Sequence, residues 1–97
     1  MMKKPLSPKE NRLELEGEWD LSRKDELGSL FASLHADEPA VIDMRRAVYV
    51  DSTVLRQLAQ LRQRFNGCPI TLVANKRIDR LLRVVGFHEI FDVVGEA

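Results

Sequence analysis

The residues of this chain that could do chemistry are few and scattered. His35, His88 and the single cysteine, Cys68, stand far apart, with no spacing that would gather them round a metal ion. Each histidine falls at or just beyond an expected helix end and is expected to face water. Cys68 precedes Pro69 at the head of an apolar run and is expected to be a buried, inert thiol. The five glycines form no phosphate-binding loop. A triad of Asp51, Ser52 and His88 fails, because adjacent orienter and nucleophile cannot bracket a histidine between them. The inventory points away from an enzyme: no catalytic residue, no metal site and no cofactor are expected.

One segment stands out. Val48-Tyr49-Val50 is β-prone and runs without a loop into Asp51-Ser52-Thr53, where a helix begins. This puts two hydroxyls at the mouth of a strand and on the first turn of a helix, the edge at which open α/β folds bind ligands. A plainer reading of the same residues is that Asp51 or Ser52 is a helix N-cap, its oxygen satisfying the orphan N–H groups of the first turn.

The elements that position this segment follow from two alternating periodicities. Leu13, Leu15 and Gly17 alternate with glutamates as in a half-buried strand. Ser22 offers an N-cap with Asp25 three residues on, and Leu27, Leu30, Phe31 and Leu34 form one apolar helix face. Ala40–Met44 reads as a strand, Arg45-Arg46 as a turn or strand edge, and Val48–Val50 as a further strand. A second helix from Ser52 is expected to bury Leu55, Leu58, Leu61 and Phe65 and to stop at Gly67. Residues 69–74 form another strand. Asn75 caps a third helix with Ile78, Leu81, Leu82 and Val85 inward and Gly86 as its stop. Ile90–Val94 is the last strand. Strands alternating with one-striped helices predict an α/β domain, a mixed sheet packed with amphipathic helices. Residues 1–10 are expected to be a flexible segment or short edge strand, and 11–97 the domain.

Composition sets the outer bounds. The 97 residues suffice for one domain. Fifteen basic residues balance fifteen acidic ones, which removes the long-range attraction that nucleic-acid binding relies on. No apolar run reaches the roughly 18 residues of a membrane span, and Pro5–Glu10 stands where a secretion signal would be apolar. A cytoplasmic protein is expected, with no membrane insertion and no direct nucleic-acid contact.

Four segments carry a family resemblance. Gly17-Glu18-Trp19-Asp20 resembles the G-E-L-D signature of STAS domains, and Ala40-Val41-Ile42-Asp43-Met44 their V-V-L-D-L strand. Tyr49 to Leu55 is similar to their F-[IM]-D-S-[ST]-G-L centre. Leu81 to Phe87, followed by Ile90-Phe91, resembles the closing L-L-x-x-x-G-L…F. They fall in the family's order over residues 13–94. The resemblance implies a STAS fold and a protein-binding switch of the anti-sigma factor antagonist type. Ser52 would be the phosphoacceptor, with Asp51, Thr53 and Asp20 supporting it on one sheet edge. The implied partners are an anti-sigma factor serine kinase of histidine-kinase fold and a serine phosphatase. Val54, Arg56, Lys76 and Arg77 are candidate partner-surface residues, with Arg62 and Arg80 further rim cations.

Val54 stands where the family has glycine, a departure expected to crowd the acceptor. On that footing Val54→Gly would cost up to about 1 kcal/mol and speed phosphorylation. The departure also admits a second reading: the cytoplasmic STAS subunit of a lipid-transport ABC complex or another membrane transport system, in which the serine need not be modified.

Overall fold

The central strands of a sheet need apolar residues at alternate positions, which line the face packed on the core. Two segments supply them, β3 (Ala40–Met44) and β5 (Ile70–Ala74), whose Ile42, Met44, Ile70, Leu72 and Ala74 are fully buried. In the computed structural model, which describes residues 11–95, they lie at the centre of a four-stranded sheet. Its order is β1 (Arg12–Glu14), β3, β5 and β6 (Asp92–Gly95). A second, two-stranded sheet pairs β2 (Gly17–Trp19) with β4 (Ala47–Val50). A mixed sheet is expected from the sequence; every pairing among the described residues is parallel. The expected flexible segment or edge strand at residues 1–10 lies outside the described residues.

The single strand expected through Leu13 and Gly17 is two. Leu15 and Glu16 leave the ladder, and Gly17 takes φ 83°, where a side chain is disfavoured. The cause is the neighbouring chain: β3 also breaks, at the Arg45-Arg46 turn, before β4 begins. Leu15 N donates to Asp43 O at 2.9 Å and Gly17 N to Arg46 O at 3.0 Å. Both chains therefore bend together, and β2–β4 carries the layer beyond the end of β5.

Helices α1 (Lys24–Ala32), α2 (Ser52–Arg64) and α3 (Lys76–Val84) supply the covering layers. Leu27 and Phe31 of α1, and Val54, Leu58 and Leu61 of α2 with Phe65 just past its end, are buried. Each fully buried side chain of this kind contributes about 1.5–3 kcal/mol. Three details differ from expectation. Ser22 is not the cap of α1: Asp20 accepts from Ser22 N at 2.9 Å and caps a 3-10 turn, Leu21–Arg23, that leads into the helix. Leu55 is half-buried while Val54 is core. Val85 is 42% exposed, at the C-cap where α3 ends. Gly86 (φ 83°) stops α3 as expected, and a 3-10 turn at Phe87–Glu89 then delays β6 to Asp92.

Buried Asn11 is a structural post. Its Nδ2 donates to the carbonyls of His35, Glu38 and Pro39, and its Oδ1 accepts from His35 N. It thereby satisfies the backbone of the α1–β3 loop.

Candidate functional site

β4 ends at Val50 and α2 begins at Ser52, so Asp51 alone makes the corner. Its backbone is extended, its N–H donates to Trp19 O at 3.3 Å, and its Oδ1 accepts from Thr53 N at 2.9 Å and Val54 N at 3.4 Å. Of the two candidate caps, Asp51 is the one used. Ser52 is left as the first helical residue, exposed, and its hydroxyl has no hydrogen-bond partner among the described residues.

Asp20 occupies the equivalent corner on the neighbouring strand. Trp19 is in register with Val50, so Asp20 and Asp51 leave parallel strands side by side at one edge. The hydroxyl of Ser22, and then its backbone N–H, hold the Asp20 carboxyl below the usual aspartate range. It stays ionised at neutral pH. Trp19 beneath is covered by Arg23, whose guanidinium carbon lies 3.5 Å from the ring centroid. That guanidinium also donates to Glu18 O and pairs with Glu26 at 3.0 Å.

Ser52 and Thr53 sit in a groove of about 760 Å³ between α1 and α2, lined also by Leu21, Lys24, Gly28 and Arg56. Arg56 follows Ser52 by four residues, one turn along the same face, so its cation can reach a group attached to that serine. Gln57 Nε2 ties the two helices by donating to Lys24 O at 3.2 Å.

The expected partner surface divides. Val54 is 1% exposed and lies in the core; it offers no surface to a partner. Helical geometry explains this, since two residues advance about 200° and an outward Ser52 turns Val54 inward. Arg62 is tied down, donating to Cys68 O and to Ile90 O. Arg64 closes the end of α1 in the same way, through Phe31 O and Leu34 O. Lys76 and Arg77 are exposed but belong to another cleft, with Arg45 and Arg46. Arg80 is exposed on α3.

Asp43, which the sequence offered only as a motif letter, is a buried carboxylate. Arg45 and Arg12 each bring Nη2 to 2.7 Å of its Oδ2. The Arg45 hydrogen bonds, against the opposing effect of burial, hold its carboxyl below the usual aspartate range. The resulting stability is complete above that range and is lost as pH falls through the lowered value. The signal in the sequence was an aspartate inside an apolar strand with an arginine two residues on.

His35 and His88 are both exposed, and Cys68 is half-buried rather than buried, packed against the core. Among the described residues no group of histidine, cysteine or carboxylate side chains is placed to hold a metal ion. None of their helices is long and apolar enough to cross a membrane. Among curated proteins and solved structures none matches the chain. The family profile described as "Mlab, STAS domain" matches residues 2–95. With nearly the whole length covered, the chain belongs to that STAS-domain family.

Proposed function

We propose that this STAS domain is a non-catalytic protein-binding module, switched at Ser52 by reversible phosphorylation in the manner of an anti-sigma factor antagonist. The observation that carries the reading is the state of the Ser52 hydroxyl: exposed and unpartnered between two neighbours whose positions are fixed. A kinase meets a free nucleophile there without unfolding anything.

Phosphate would add about −1.5 to −2 charges at neutral pH. The domain tolerates this, because a helix N-terminus favours an anion and Arg56 lies one turn on. A protein surface fitted to a neutral hydroxyl does not, since desolvating a fixed charge costs several kcal/mol. Phosphorylation thus releases a partner while leaving the fold intact. In this reading the partners are a serine kinase of histidine-kinase fold, which is also the anti-sigma factor, and a serine phosphatase.

The test joins mass spectrometry after incubation with that kinase and ATP to calorimetric binding of the Ser52→Asp variant. Expected are phosphate on Ser52 and a large loss of affinity, with a thermal midpoint close to wild type. Phosphate on Thr53 with Ser52 untouched, or unchanged affinity of the variant, would overturn the switch.

A second reading is favoured by Val54, which stands where the switch-type pattern has glycine and is built into the core. In it the domain is a subunit of a lipid-transport ABC complex, the α1–α2 groove docks on the ATPase, and Ser52 stays unmodified. Copurification with an ATPase whose binding Ser52→Asp leaves intact would select it.

A further inference from the structure

Parallel pairing of β3 with β5 sets Met44 opposite Ala74. The residues that follow, Arg45-Arg46 on one chain and Lys76-Arg77 on the other, therefore leave the sheet side by side. Together with Ala47, Val48 and Asn75 they line a cleft of about 500 Å³. None of these residues lines the groove that holds Ser52.

The cleft is built, and its builder is Asn75. Its Oδ1 accepts from Ile78 N at 2.9 Å, capping α3, while its Nδ2 donates to Arg45 O at 3.1 Å and Ala47 O at 2.9 Å. One side chain thus locks the two cationic walls together.

Among the described residues no carboxylate lines this cleft, and little of its charge is offset nearby. Arg45 is engaged by Asp43. Arg46 lies 3.5 Å from Glu16 in a pair whose side chains are 82% and 61% exposed, a contact worth little in water. Lys76 and Arg77 have no acidic partner among the described residues, and Asp79, the one acid of α3, is taken by Arg83 at 3.1 Å. Three cations therefore face an open cleft whose lining includes Val48, 56% exposed. The net charge of the chain is zero, so this is a local field and not a general one.

We infer that this cleft is a docking surface for an acidic peptide segment of a protein partner, separate from the Ser52 edge. Charge complementarity selects the occupant. Cations on two facing walls suit carboxylates spaced along a chain, and exposed Val48 gives the methylene stems of such a segment an apolar contact.

The experiment uses the full chain, unphosphorylated, and a fluorescein-labelled hexaglutamate peptide as probe, read by anisotropy at low ionic strength. No kinase enters, so its outcome is independent of Ser52. Lys76→Glu/Arg77→Glu is expected to weaken probe binding about tenfold, with Arg56→Glu within about twofold of wild type. Amide shift changes on adding probe should centre on residues 46–48 and 75–77. Equal losses in both variants would reveal a general charge effect and overturn the assignment, as would shifts centred elsewhere. Retention of the chain on phosphatidylglycerol vesicles without measurable hexaglutamate binding would overturn it in favour of a membrane surface. All substituted side chains are exposed, and cooperative thermal melts confirm that the variants fold.

Discussion

Helices α2 and α3 both leave the carboxyl end of a parallel strand after one extended residue, yet their first turns are built from opposite chemistry. At α2 the cap is a carboxylate, Asp51, followed by neutral Ser52, Thr53 and Val54, and the last turn ends in Arg62 and Arg64, both bonded to carbonyls. This arrangement agrees with the helix dipole at both ends. At α3 the cap is a neutral amide and the next two residues are cations, against the dipole. The amide is required because Asn75 must accept from Ile78 N and donate to two carbonyls at once; a carboxylate could only accept. The first end can take an added anion on Ser52 without harm to the helix. The second keeps its positive charge at a cost, and an anion from outside would relieve it.

The largest expected effect tests the inward side of the α2 end. Val54→Gly removes a fully buried side chain and places glycine in a helix, which should cost about 3 kcal/mol in chemical denaturation. That is well beyond the 1 kcal/mol expected were the residue at the surface. Its effect on Ser52 phosphorylation, where both proteins are folded, should be nil. A small stability loss with faster phosphorylation would return Val54 to the surface and restore the crowding idea.

The caps come next, and their order matters more than either value. Asn75→Ala loses a cap and two carbonyl contacts and should cost about 2 kcal/mol. Asp51→Ala loses a cap alone and should cost about 1 kcal/mol. Asn75→Asp keeps the cap without the donors and should fall between wild type and Asn75→Ala. Urea titrations of the three variants measure this. An Asp51 loss exceeding that of Asn75 would mean that Asn75 is not the joint between the two walls.

What could be read in the sequence was local physics. The Val50–Ser52 junction, the Asn75 cap and the stops at Gly67 and Gly86 each depend on a few adjacent residues, and each could be read there. The helical stripes were legible to within a residue: Leu58 and Leu61 were, but Val54 and Leu55 both border that face, and the choice between them follows from Ser52 facing outward. The break at Leu15–Glu16 was not legible, because it copies a bend in β3–β4 about thirty residues away. Nor was the basic cleft. Arg45-Arg46 read as a turn and Lys76-Arg77 as candidate partner-surface cations, and only the parallel register of β3 and β5 brings the two pairs together. Arg62 reads as a surface cation in the sequence, since carbonyl acceptors leave no mark in side-chain patterns.

The smallest effect is the most direct test of the α3 end, because its sign opposes the usual outcome of substitution. Most substitutions destabilise. Lys76→Glu replaces a cation in the first turn of α3 by an anion, and the residue is exposed, so no packing is lost. The N–H groups of that turn favour the new charge, and the variant should gain about 0.3–1 kcal/mol at low ionic strength. The gain should fade at high salt, where the screening length shrinks to about 3 Å, which separates a dipole effect from a change in side-chain packing. The same exchange at the α2 end, Ser52→Asp, starts from a neutral residue beside an acidic cap and should change stability by less. Guanidinium is a salt and would mask the difference, so urea denaturation at two ionic strengths is the measurement. A stability loss for Lys76→Glu, or a gain that salt does not touch, would mean that the cation is held by a contact within the domain, and the contrast between the two helix ends would then be one of packing rather than charge.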